Sequence, residues 1–145
     1  MYRNSEGYAD PTAGAAIGKV MKEYRLERRE IWRRQTELKE RPKVYIVSRY
    51  AGDVENNVKA AIRYCRFAID KQKMPIAAHL LYPQIVDDND PVEREIGTMY
   101  GLALLALCDE IWCFGKTLSV GMEQEIKEAK RLGKPIKYFD EEAVK

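Results

Sequence analysis

Apolar positions along this chain follow one rule before Pro42 and another after it. In the first stretch Ile17, Val20, Tyr24, Ile31 and Leu38 recur at spacings of three, four and seven among polar neighbours, the repeat of one helix face. Asp10 followed by Pro11 offers an N-cap and a proline at the first helical position. A helix in one or two pieces is therefore expected from there to about Glu40, with Gly14 and Gly18 weakening its first turns. After Pro42 the apolar runs become short, β-branched and aromatic. Lys43 to Ser48 reads as a buried strand that ends in a turn over Arg49 to Asp53. The next helix shows Val58, Ala61, Ile62, Cys65, Ala68 and Ile69 on one face, with Asn56 or Asn57 as its cap. Met74 to Leu81 predicts a second strand, Pro91 to Cys108 a helix and Glu110 to Phe114 a third strand. Ser119 can cap a last helix whose face is Met122, Ile126, Ala129 and Leu132, Gly133 can end it, and Pro135 to Phe139 supplies a fourth strand.

Strands alternating with helices through short links require crossover connections, and right-handed crossovers build a parallel sheet covered on both faces. The expected fold class is α/β, a Rossmann-like three-layer sandwich with a short parallel sheet of order 2-1-3-4. Its domain covers 43–145 and an N-terminal helical extension covers 1–42. In that order the winding reverses between the first and third strands, and ligands lie beyond the carboxyl ends of strands flanking such a switch point. The loops Ser48 to Asp53 and Gly115 to Glu123 are thus where binding is expected.

Composition narrows the class. The chain has 145 residues, 46% hydrophobic and 33% charged, which suits a folded globular domain. No apolar run approaches the roughly 18 residues of a membrane span, and the first residues lack the basic and apolar regions of a signal peptide, so a cytoplasmic protein without a membrane partner is expected. Cys65, Cys108 and Cys113 lie in apolar stretches without metal-ligand spacing and read as inert buried thiols; no metal and no cofactor is expected. The net charge of +2 hides a basic N-terminal part. There Glu23, Glu27, Glu30 and Glu37 interleave the Lys and Arg residues, which argues for a solvated or oligomerising helix and against nucleic acid as partner.

Within the two loops, Ser48, Arg49, Tyr50 and Gly52 place a hydroxyl, a guanidinium, a ring and a glycine just before a helix N-terminus, a phosphate-friendly set. Neither a G-x-G-x-x-G fingerprint nor a P-loop is present. In the second loop Gly115, Ser119, Gly121 and Met122 lead to Glu123, a carboxylate in the first turn of a helix. A first-turn glutamate also complements the helix dipole with no ligand at all. His79, at the carboxyl end of the second strand, could contact a base or a sugar hydroxyl. Asp87 to Asp90 lacks the spacing of a calcium loop and reads as solvated turn chemistry. Asp109 starts a strand at the end away from the crevice and is expected to cap or pair structurally.

Three segments, Val-Tyr-Ile-Val-Ser-Arg-Tyr at 44–50, Cys-Asp-Glu-Ile-Trp at 108–112 and Ser-Val-Gly-Met-Glu at 119–123, stand in the order found in the nucleoside 2-deoxyribosyltransferase-like family, which this chain resembles from about Lys43 to Phe139. The family includes deoxynucleotide N-glycosidases and uncharacterised phage and bacterial members. The resemblance implies that Glu123 is the nucleophile that attacks the anomeric carbon, as in a retaining glycosidase. It also implies a general acid late in the helix before the third strand, where this chain reads Gly101 to Cys108 without one. Glu93, Glu95 and the Asp87 to Asp90 loop are substitutes. The expected function is cleavage or transfer of an N-glycosidic bond in a nucleoside or nucleotide, with a transferase or hydrolase outcome; the alternative is a non-catalytic binder of a nucleotide-derived signal. A homo-oligomer is expected, with the apolar stripe of the N-terminal helix packed across subunits.

Overall fold

Helix α1 runs unbroken over Pro11–Lys39, through both glycines, in a computed structural model that describes Arg3, Gly7 and residues 11–144. The Asp10 cap lies outside the described residues. No residue of α1 is buried. The chain forms two units that divide between Glu40 and Arg41, and the second holds the sheet.

In that second unit β1 (Lys43–Val47), α2 (Val54–Asp70), β2 (Met74–Ile76), α3 (Pro91–Ala106), β3 (Glu110–Phe114), α4 (Val120–Arg131) and β4 (Ile136–Phe139) alternate, and the four strands pair in parallel in the order β2-β1-β3-β4. The predicted fold class and strand order are the ones observed. Period-two alternation along the central strands decides which helix each face meets. Val44, Ile46, Trp112 and Phe114 point to the side where Tyr64 and Ala68 of α2 close the core. Tyr45, Val47, Ile111 and Cys113 point to the other side, against Leu105 of α3 and Met122, Ile126 and Ala129 of α4. Ring contacts knit the first side, with Tyr64 stacked on Phe114 at 4.3 Å between centroids.

Three local expectations are corrected. The second strand stops at Ile76 and does not reach Leu81; Ala78–Leu80 and Tyr82–Gln84 are 3₁₀ turns. Pro75 has no N–H for a ladder, so this segment can serve only as a short edge strand paired to β1 alone. Asn56 and Asn57 do not cap α2: Asp53 does, accepting from the Asn56 N–H at 3.4 Å and from its side chain at 2.7 Å. Asn57 instead ties down the loop, donating to the carbonyls of Tyr50 and Ala51. Finally, α3 ends at Ala106, two residues before the expected Cys108.

Candidate functional site

Both central strands open at their carboxyl ends into the two loops singled out above, and the structure joins those loops directly. Arg49, at the end of β1, donates to the Thr117 hydroxyl at 3.2 Å across the β1/β3 divide. Behind it Ser48 is buried, and its hydroxyl pairs with His79 Nε2 at 2.9 Å. His79 thus sits in a 3₁₀ turn, and its reach to β1 survives the shortening of β2. Burial pushes the imidazole down to about 4, so it is neutral at physiological pH and can offer one donor and one acceptor.

The glycines serve the loops in different ways. Gly52 has φ +98° and Gly115 φ +106°, left-handed values that a side chain resists. A Cβ on Gly115 would also stand 3.3 Å from Glu141 Oε1, whereas nothing lies within 4 Å of one placed on Gly121. Tyr50 is half-buried beside this loop and Arg49 is exposed.

Ser119 caps α4 as the sequence predicts, accepting from the Met122 N–H at 3.3 Å. Met122 itself is buried in the core, and its Sδ accepts from the Ser119 N–H at 3.5 Å. Glu123 is exposed on the first turn. Two residues on, the sequence reading missed a carboxylate. Glu125 lies on the same side of α4 as Met122, Ile126 and Ala129, and its Oε2 is sealed from solvent with no hydrogen-bond partner. Its carboxyl group neighbours the phenol of the buried Tyr45 of β1 closely enough for each to shift the other's titration. Burial raises the Glu125 carboxyl to about 7, the neighbouring Tyr45 phenol opposing the shift, and burial together with the Glu125 charge raises the phenol. The signal was available: on a helix whose apolar face is Met122, Ile126 and Ala129, a glutamate at 125 falls three residues from the first and four from the last. Tyr45 Oη and the Ala78 methyl both lie 3.4 Å from where a Cβ on Gly101 would stand, so this pair adjoins the segment that carries His79.

Asp109 accepts from the Lys43 N–H at 2.8 Å, at the opposite end of the sheet from the crevice, which is the structural part expected of it. Within the acidic loop Asp87 accepts from the Asn89 N–H, Asp90 caps α3, and Glu93 accepts from the Asp87 N–H, so these carboxylates hold the turn. No group of three metal-ligating side chains occurs among the described residues. Burial lifts all three thiols to about 11 and keeps them protonated. Among the described residues no helix is long and apolar enough to cross a membrane.

Fold and site together define a doubly wound α/β protein in which polar side chains of two loops meet at the switch point of the sheet and the last helix carries a carboxylate with one oxygen sealed from solvent. The chain belongs to the family described as Domain of unknown function (DUF7768), whose model matches residues 42–139. Among solved structures it is similar to a 2-deoxyribosyltransferase from the psychrotolerant bacterium Bacillus psychrosaccharolyticus, with 18% identity, a TM-score of 0.54, and coverage of 68% of this chain and 72% of that one. At that identity the likeness speaks to fold. No curated protein matches the chain.

Proposed function

We propose that the crevice binds a nucleoside or nucleotide and that a carboxylate of α4 cleaves or transfers its N-glycosidic bond. The observation that carries this reading is a carboxylate oxygen of Glu125 sealed from solvent beside the Tyr45 phenol, in a sheet whose carboxyl-end loops bring Arg49, Thr117, Ser48 and His79 together. The likeness of fold to a 2-deoxyribosyltransferase supports the substrate class. In the proposed step the ionised carboxylate attacks the anomeric carbon while the base leaves with the bonding electron pair and takes a proton from solvent, and water or a second base then releases the sugar and frees the carboxylate. Tyr45 holds the carboxylate oxygen, Ser48 and neutral His79 hydrogen-bond the sugar or base, and Arg49 with the α2 N-terminus meets a phosphate where the ligand has one. Glu125 takes the nucleophile's part ahead of Glu123, because Glu123 is solvent-exposed on the first turn.

A binding role without turnover is the second reading, favoured by one observation: the stretch of α3 from Gly101 to its end carries no acid to protonate a leaving base. Chromatography after incubation with a panel of nucleosides and nucleotides separates the two. Released base that Glu125→Gln abolishes and Glu123→Gln leaves within a few-fold supports the proposal. Loss only in Glu123→Gln transfers the role to that residue, and intact ligand retained without release establishes the binder.

A further inference from the structure

Helix α1 buries none of its apolar residues: Ile17 is 38% exposed, Tyr24 54% and Leu38 46%, and Ile31 is half-buried. Ile17, Tyr24, Ile31 and Leu38 are spaced by seven residues each, the repeat that keeps one seam facing a partner helix when two helices supercoil. Set as the d positions of a heptad, they put Met21, Arg28 and Gln35 at the a positions. The surface then supplies a socket. Arg28, Arg29, Ile31, Trp32 and Gln35 line one depression, and Arg28, Ile31, Trp32 and Gln35 stand at i, i+3, i+4 and i+7. That diamond of a, d, e and the next a position is the hole that receives a d-position knob in a parallel pair of helices.

Charge chooses the occupant and its direction. At 100° per residue Glu23, Glu27, Glu30 and Glu37 all fall on one flank of the seam, with Arg34 among them, and Glu30 is additionally paired to Arg33 at 2.5 Å. Lys22, Arg25, Arg29 and Lys39 fall on the other flank, which holds no acid. Two copies of one helix related by a twofold along their axes set the acidic flank of each against the basic flank of the other. An antiparallel pair sets like against like.

We propose that α1 pairs with α1 of a second copy of this chain, parallel and in register, with Ile31 of each copy seated in the Arg28–Ile31–Trp32–Gln35 socket of the other. Arg28 and Gln35 at the alternate seam positions lower the stability of the pair and restrict its register and strand number. The inference is independent of what the crevice binds.

The test uses the full chain. Light scattering at micromolar concentration gives a dimer mass, and Tyr24→Glu combined with Ile31→Glu gives a monomer. The double variant removes no buried side chain, so the protection of the β1 and β3 amides from hydrogen exchange stays unchanged and shows that the α/β fold is intact. Under mild oxidation Ile31→Cys forms an interchain disulfide, with the native chain as control for Cys65. A tagged Ile17→Cys chain mixed with an untagged Leu38→Cys chain gives no mixed product, since 21 residues of helix, about 31 Å, separate those positions in the parallel pair. A monomeric full chain, or a dimer that survives the double substitution, overturns the proposal. A mixed Ile17→Cys/Leu38→Cys disulfide overturns its parallel direction.

Discussion

Two groups with opposite pH responses sit within the crevice, so their effects are legible only when one is removed. Glu125 has a folded value near 7 against an ordinary 4.5, so the folded state holds its proton where the unfolded state has lost it. Stability from this group is therefore fully present below about 4.5 and declines as pH rises to about 7, by on the order of 3 kcal/mol. His79 has a folded value near 4 against 6.5, so the unfolded state takes up the proton first and stability declines as pH falls from 6.5 to 4, by a similar order. Denaturant titrations between pH 4.5 and 7 are expected to show Glu125→Gln losing stability toward acid and His79→Gln gaining it. Parallel slopes in the two variants would show that these environments are misassigned. Of the crevice residues, Ser48, Arg49 and His79 could be named from the sequence because they end strands or follow them. The spacing of Glu125 from Met122 and Ala129 puts it toward the apolar face of α4, but its burial beside Tyr45 becomes visible only once the sheet lies beneath that face.

Element boundaries followed local chemistry, and the departures have local causes. Ser119 and Gly133 bound α4 as expected because a cap and a left-handed glycine are short-range signals; Gly133 has φ +68°. Ser119→Ala should therefore cost about 1 kcal/mol in a urea titration, through loss of the acceptor for the Met122 N–H. A cost near zero would mean the Met122 packing alone fixes that helix end. The α2 cap was misread because Asp53, Asn56 and Asn57 are all capable caps, and only the path of the loop decides among them. In that loop Gly52 has open space around it and a left-handed φ, so Gly52→Ala should cost roughly 1–2 kcal/mol through backbone strain alone. A stability unchanged within error would show that the turn relaxes to another conformation. The overlong second strand arose from the run Ile76 to Leu81, apolar except for His79, in which periodicity cannot distinguish strand from turn.

Across the whole molecule, the sheet order and the place of the crevice were legible because they follow from alternation, crossover handedness and the position of the winding reversal, none of which needs a particular residue. What the sequence does not disclose is which carboxylate oxygen the sheet seals from solvent. The account stands on an α4 carboxylate reacting with an anomeric carbon. The most direct test incubates the full chain with 2-fluoro-2-deoxyarabinosyl nucleosides of each base and their 5′-phosphates, followed by acid quench, intact-mass spectrometry and peptide mapping. The fluorine slows attack and release by opposing positive charge at the sugar, so a glycosyl-enzyme can accumulate. The predicted result is a mass increase of one fluorosugar, or fluorosugar phosphate, mapped to Glu125 and absent from Glu125→Gln. An adduct on another residue, or an unmodified chain with every nucleoside and nucleotide of the series, would contradict the account.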